Sequence, residues 1–512
     1  MWKFIMVMKK TFNVFFKLGE YLVKGYTLKK EDGARFASKD EQQSIFNARN
    51  KGLLIDGKDK RLSEKDSFEH IAIIAKPGAG KTTSYIIPNI LDKGKQKCSL
   101  VVTDPSGEIF SQTSAFMKSR GFNVLTLNPD NLELSSRFNP FAGLGSNDII
   151  EIEKICSSII LSKYGSDKDP IWNEGAISIM EILAKCLAFS SPVHLNLPNI
   201  NYLINLFGED GKNLDDWVAE HSMNPEDIND KSIINAWLGL TKNNKNMLTS
   251  YATIAKTALK QLNNSGIQKL LASNDLDFKS FRKQKTVLYL IIPAHQQDYY
   301  QFIIDLLYTR FFSQMMQTLP KRNDLSIYCL MDEFGSSYVH GFASLINNIR
   351  KYRISLSLVF QSLSQLESKY GKSKEAIKGG IGSYLVFAGA DYSTAKEMSD
   401  IIGKRLLVQR NNFTDIEQRY QEMNLLSPDK IRTLNDNQCV FLSKNRHPLI
   451  LQVTPFYENF RFNNATKKGA FPIEKKLLQD RVDFVKVWLE QGKSLQQEKN
   501  REQRNLPNEY HN

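Results

Sequence analysis

The sequence predicts an α/β fold in which one parallel sheet is built from two stretches of chain separated by an all-α insertion. Three observations lead there. Short β-rich runs alternate with helical stretches between residues 51 and 145, give way to helical periodicity between 146 and 280, and resume between 281 and 462. A glycine-rich turn follows the first of these runs, and an acidic pair ends a later one. The 512-residue length leaves room for two or three domains.

Residues 1–50 form a basic amphipathic segment. Through Lys30 it carries seven lysines against Glu20 alone, a balance of +6, and no run of about 20 apolar residues that would cross a bilayer. It suits an anionic membrane surface, a membrane partner, or the protein's own surface. No cleaved signal peptide is expected. Strands are predicted at 69–75, 99–104 and 122–128, with a helix at 82–92. In the all-α stretch, apolar spacing marks helices at 173–188 and 250–262. Strands follow at 286–292, 327–332, 354–361 and 383–388, and a final pair at 440–443 and 449–454. From 463 to 512 the chain is a polar tail rich in Lys, Gln and Glu, with one amphipathic stretch at 474–490 and a polar end expected to be flexible.

Composition narrows the partners. The chain is 41% apolar and 24% charged, ordinary for a folded protein, and its formal charge of +13 favours an anionic partner such as nucleic acid or acidic lipid. The five cysteines are widely spaced and mostly set among apolar residues, so they read as reduced core residues. No helix-turn-helix or zinc module that reads base sequence is visible.

The chemistry is concentrated in two runs. The first is Lys76-Pro-Gly-Ala-Gly-Lys-Thr-Thr83, placed where a buried strand empties into a helix. Glycine frees backbone N–H groups to wrap phosphates, Lys81 reaches the outer phosphates, and Thr82 ligates Mg²⁺. Lys76, Pro77, Gly78, Ala79, Gly80 and Thr83 complete the expected nucleotide contact. The full pattern wants glycine five residues before Gly80, where this chain has Ala75. The second run, Leu325-Ser-Ile-Tyr-Cys-Leu-Met-Asp-Glu333, ends a strand in two carboxylates. Asp332 is expected in the Mg²⁺ shell, and Glu333 is expected to orient the attacking water. Gln361 ends the next strand at the same side of the sheet, where an amide can sense the γ-phosphate. Arg350, Lys351 and Arg353 sit on a predicted helix end, and one of them is a candidate to cross a subunit boundary as an arginine finger.

With these residues assembled, the chain resembles the TraG/TraD-type type IV secretion coupling proteins, RecA-like P-loop ATPases that deliver DNA to a conjugation channel. The resemblance runs from about Gly33 to Tyr457. Its marks are Gly33-Ala-Arg-Phe-Ala37, Thr103-Asp-Pro-Ser-Gly-Glu108, Arg137-Phe-Asn-Pro140, Asp169-Pro-Ile-Trp172, Met331-Asp-Glu-Phe334, Gln361-Ser-Leu-Ser-Gln-Leu366 and Arg446-His-Pro448. Ser106 stands where the family usually has lysine. The resemblance implies a RecA-like domain with an inserted all-α domain and ATP with Mg²⁺ as cofactors. It also implies Lys81, Glu333 and Gln361 as the working residues and Arg350 as the trans-acting arginine. A homo-hexamer, a relaxase on single-stranded DNA and the secretion-channel proteins are the implied partners. Most members carry N-terminal transmembrane helices, so attachment at the inner face of the membrane is expected here through the basic N-terminus or a separate anchor protein. Two other readings stay open. One is a double-strand DNA translocase or effector-protein coupling ATPase. The other is a docking receptor that binds nucleotide with little hydrolysis, for which Ala75 is the only support in the sequence.

Overall fold

The structure is a computed structural model that describes residues 33–47, 49–165, 170–409, 419–475 and 481–487. The N-terminal segment through Asp32, Asp169 of the motif above, and residues 476–480 and 488–512 of the tail lie outside these described residues. Eleven strands are present among them: β1 (Ile71–Ile74), β2 (Cys98–Asp104), β3 (Asn123–Leu127), β4 (Thr286–Ile291), β5 (Ser326–Met331), β6 (Ile354–Phe360), β7 (Ser383–Phe387), β8 (Lys404–Gln409), β9 (Arg419–Asn424), β10 (Gln438–Ser443) and β11 (Leu449–Gln452).

Nine strands form one sheet in the order β11-β10-β7-β1-β6-β5-β2-β4-β3. From β7 to β3 every pairing is parallel, and β10 and β11 add an antiparallel pair at one edge. Parallel strands need both faces covered, and alternate residues meet different cores. In β1, Ile71 and Ile73 face one apolar cluster while Ala72 and Ile74 face the other. The helices Ile87–Lys93 and Glu108–Ser119 fill the first face through Ile90, Phe116 and Met117.

The second face is covered by the long connection between the adjacent strands β3 and β4, whose helices include Ile149–Tyr164, Pro170–Ser190, Leu197–Leu206 and Lys245–Ala258, and by the helix Gln297–Met316. Pro170 opens its helix at the position where a missing N–H is harmless. Gly175 in that helix lets Tyr251 lie against the backbone, since a Cβ there would come 2.4 Å from the ring. Among the described residues no helix is long and apolar enough to cross a membrane. All five cysteines are buried free thiols.

Three local differences from the sequence reading have physical reasons. The helix predicted at 82–92 opens as a π-turn over Thr82–Ile86 and becomes α-helical only at Ile87–Lys93. Pro88 has no N–H to offer the turn below it, so the Ile87 amide closes on the Thr82 carbonyl instead. The hairpin of β8 and β9 was not predicted; its strands mix charged, polar and apolar residues with no clean alternation. Its first strand is bridged by Gly33, whose neighbour Ala34 donates to the Lys404 carbonyl at 2.8 Å. The expected tail begins inside the helix Phe460–Thr466, which buries Phe462 and Ala465. The described residues 481–487 of the amphipathic stretch are not helical and pack on the helix Leu197–Leu206.

Candidate nucleotide site

The site lies at the C-terminal ends of β1, β6 and β5, which are neighbours in the sheet. Parallel strands deliver their following residues to one rim, so register alone brings the two sequence runs together. Ile74 pairs with Phe360 and Leu358 with Met331, which puts the glycine turn, Gln361 and Asp332 side by side.

In the turn, Gly78 and Gly80 take φ of +79° and +83°, a left-handed conformation that favours glycine. Their backbone N–H groups donate no hydrogen bond among the described residues, and open space surrounds Gly78. The Ala79 amide closes the turn on the Lys76 carbonyl at 3.2 Å. The two threonines differ. The Thr83 hydroxyl donates to the Gly80 carbonyl at 3.1 Å, whereas the Thr82 hydroxyl has no hydrogen-bond partner among the described residues. Lys76 and Lys81 diverge as well. The Lys76 side chain crosses Gly389 beyond β7, where a Cβ would lie 2.6 Å from its Nζ. The three-residue run Pro77-Gly-Ala79 is thus the apex of the loop.

Lys81 reaches the acidic pair. Its Nζ is 2.8 Å from Asp332 Oδ1 and also bonds Glu333 Oε1. Gln361 Nε2 donates to the other oxygen of Glu333 at 3.0 Å. Burial works against the Lys81 ammonium, but the two carboxylates outweigh it and hold its pKa above the ordinary value. Asp332 is 4% exposed, and burial raises its pKa despite the facing ammonium. Glu333 sits in the left-handed region at φ +57°, with its N–H on Asp332 Oδ1 at 3.1 Å. That conformation is costly for a residue with a side chain, and it swings the carboxylate toward Lys81 and Gln361.

Two supporting residues lie inside motifs that mark the resemblance but carry no role in the sequence analysis. Gln365 Oε1 accepts the Gln361 backbone N–H at 2.9 Å, and its amide passes over Gly335, where a Cβ would meet it at 2.2 Å. Gly335 is therefore required beneath the glutamine that holds the end of β6. Asp104, fully buried, accepts from the amide of Phe110 at 2.7 Å and shapes the Thr103-Asp-Pro-Ser-Gly-Glu108 turn; burial raises its pKa against those backbone bonds. The i,i+4 pairing of the two glutamines in Gln361-Ser-Leu-Ser-Gln365 was the available signal for Gln365.

Arg350 is elsewhere. It lies on the 3₁₀ turn Ile349–Tyr352 that continues the helix Phe342–Asn348, at the predicted helix end, beside the N-terminal end of β1. Its guanidinium is 64% exposed, with Nη1 3.4 Å from Glu69 Oε1, on a cavity of about 200 Å³ that His70, Asn347 and Lys444 also line. Of its two neighbours, Arg353 is tied to the carbonyls of Lys321 and Asp324 at 2.6 and 2.7 Å, and Lys351 lies over the Tyr352 ring. The chain's own fold keeps Arg350 at the opposite end of β1 from Lys81.

The sheet order and the helical cover define a RecA-like α/β protein. The family described as "Type IV secretory system Conjugative DNA transfer" matches residues 29–494, and the chain belongs to it. It is 24% identical over 409 residues to VirD4 of Rhizobium radiobacter, a match covering 76% of this chain and 57% of that one. With VirD4 of Agrobacterium fabrum the identity is also 24%, covering 76% and 59%. The chain thus spans less than two thirds of the length of these curated relatives. Its fold is that of the bacterial conjugative coupling protein TrwBdeltaN70, with a TM-score of 0.66 at 15% identity over 83% of this chain and 94% of that one. A second TrwB structure, in complex with ADP and Mg²⁺, gives 0.65 at 14% identity over 83% and 95%.

Proposed function

We propose that the chain is an ATP-hydrolysing coupling protein that receives a relaxase bound to single-stranded DNA and drives the complex into a type IV secretion channel. The observation that carries this is the convergence of Lys81, Asp332, Glu333 and Gln361 beside an open glycine turn. TrwB's complex with ADP and Mg²⁺, and another with a non-hydrolysable ATP analogue, support the same ligands here.

The residues suit those ligands. The N–H groups of Gly78 and Gly80 lack partners among the described residues, and Lys81 is a cation held by carboxylates alone. Polyphosphate offers both the acceptors they need. The Thr82 hydroxyl and Asp332 are hard oxygen donors of the kind Mg²⁺ takes together with phosphate. Among the described residues no group of three carboxylate, histidine or cysteine side chains could hold a metal alone. Bound Mg²⁺ would supply neutralisation of charge developing on the phosphoryl oxygens.

Lys81 would exchange the carboxylates for phosphate when nucleotide enters. That exchange frees Glu333 to accept a hydrogen bond from the attacking water, with Gln361 fixing its second oxygen. Arg350 would act from the neighbouring subunit of a homo-hexamer, since within its own subunit it stands beside Glu69, at the other end of β1 from Lys81. The net charge of +13 suits sequence-independent contact with a DNA backbone. The division into 51–145 and 281–462 as the motor, with 146–280 as an all-α substrate-facing domain, follows from the same reading. A peripheral position at the inner face of the membrane, through residues 1–50 or an anchor protein, belongs to it as well.

The test is ATP hydrolysis by the purified chain with and without single-stranded DNA, at low and moderate salt, beside Lys81→Ala. DNA-stimulated turnover that falls to background in the variant is expected. Folded protein that binds nucleotide without turning it over would favour the docking receptor.

A further inference from the structure

The helix Leu197–Leu206 carries a fully buried asparagine, Asn199, whose amide is spent on the main chain of a distant segment. Asn199 Nδ2 donates to the Asp483 carbonyl at 3.0 Å, and Oδ1 accepts the Val485 N–H at 2.8 Å. These are the C=O of one residue and the N–H two residues on, so the side chain grips the backbone on both sides of Phe484 as a neighbouring β-strand would. The amide is fixed for this task by Asn196, the helix N-cap, whose Oδ1 accepts both the Asn199 N–H and the second Nδ2 hydrogen at 3.0 Å.

Three side chains complete the contact. Val485 is 7% exposed and joins the apolar cluster of the helical block. Phe484 lies against Tyr202 with ring centroids 5.2 Å apart, and 36% of it remains exposed. Asp483 Oδ2 is 3.0 Å from His194 Nε2, whose other nitrogen is 2.6 Å from Ser191 Oγ. The segment from Arg481 to Val487 has no secondary structure of its own, and Val485 is its one buried residue. An asparagine among the buried Leu197, Ile200 and Leu203 would be left with an unmet donor and acceptor if no backbone lay across it, a costly state.

We infer that this face of the helical block is a docking site for extended peptides, and that residues 481–487 are its resident, displaceable occupant. The partner it fits is an extended segment of another protein with an acid, an aromatic and a valine-sized residue in succession. Asn199 reads main chain, which every sequence supplies; the side-chain selection comes from His194, Tyr202 and the pocket of Val485. A site of this kind is closed by its own chain until a competitor arrives, because a tethered occupant has a high effective concentration. The inference does not depend on the nucleotide site.

The probe is a fluorescein-labelled peptide of sequence Arg-Val-Asp-Phe-Val-Lys-Val, titrated by anisotropy into the full-length chain. Val485→Asp should evict the resident segment, and the peptide should then bind at least tenfold tighter than to the unaltered chain. Adding Asn199→Ala to that variant should remove the gain. Equal binding to both chains, or a gain insensitive to Asn199→Ala, overturns the inference. A readout on the unaltered chain keeps the test independent of variant folding. Hydrogen exchange at the Val485 amide should accelerate when excess unlabelled peptide is added, and unchanged protection at saturating peptide overturns it equally.

Discussion

The two ends of β1 handle charge in opposite ways. At the C-terminal end, Lys81, Asp332, Glu333 and Gln361 satisfy one another, side chain to side chain, within a few ångströms. At the N-terminal end His70 is satisfied by backbone: its Nε2 faces the Ile346 carbonyl at 3.1 Å and its Nδ1 accepts the Leu356 N–H at 3.2 Å. Beside it Arg350 stands mostly in solvent on one long contact to Glu69. Groups bound to backbone are fixed by the fold, whereas groups bound only to one another can change partners when a ligand arrives. The first end is thus built for exchange. The second holds a rigid neutral imidazole and, in Arg350, an exposed cation with reach, which suits action on a neighbouring subunit.

The sharpest way to break this contrast is at Glu333. Glu333→Gln keeps the shape and the hydrogen bond to Gln361 but removes the base, so turnover should fall about 10²–10⁴-fold with nucleotide still bound. Steady-state hydrolysis beside a nucleotide-binding titration checks it, and normal turnover would refute the assigned role.

Arg350→Ala tests the other end. The variant should bind nucleotide as the unaltered chain does when dilute, since Arg350 touches no part of its own subunit's site. In the assembled ring hydrolysis should fall about 10³-fold or more, the scale of a lost arginine finger. Hydrolysis measured across protein concentration separates the cases, and weakened nucleotide binding by isolated subunits would contradict action in trans.

His70 sharpens the comparison through pH. Burial pushes its pKa down to about 3, against 6.5 for an exposed imidazole. The unfolded chain therefore takes up the proton first as pH falls. The stability that neutral His70 carries is complete above about pH 6.5 and is lost toward pH 3, amounting to about 3 kcal/mol at pH 4. Asparagine tolerates the φ of +64° found here and does not titrate. His70→Asn should be less stable than the unaltered chain at pH 7 and should lack this part of the acid transition, as followed by thermal unfolding from pH 7 to 4.

What the sequence disclosed and what it withheld divide along the same line. The glycine turn and the two carboxylates are local runs with one chemical reading, and the apolar strands that carry them are continuous because both sheet faces are covered. Arg350 could be singled out by type but not placed, since its distance from Lys81 is set by which end of β1 it meets. The left-handed backbone of Glu333 and His70 has no signature in residues that seldom adopt it. The β8–β9 hairpin lacks alternation, and the amphipathic stretch at 474–490 stands out without showing which surface Phe484 and Val485 would meet.

The smallest expected effect falls on Ala75, the departure that gave the docking receptor its support. Ala75 is not among the residues with positive φ, its N–H donates to the Phe360 carbonyl at 3.0 Å, and it is fully buried in the core cluster that also holds Ile71 and Ile73. It extends the β1–β6 ladder by one residue before the turn begins at Lys76, so nothing in its backbone calls for glycine. The glycines that the turn does require, Gly78 and Gly80, are both present. Ala75→Gly should leave hydrolysis within about twofold and cost about 0.5–1 kcal/mol of stability, the entropic penalty of glycine in a regular element. A chemical-denaturation curve and a turnover assay on the same preparation measure both. A large rise in turnover would mean that alanine restrains the loop, and would return weight to a site that holds nucleotide without spending it.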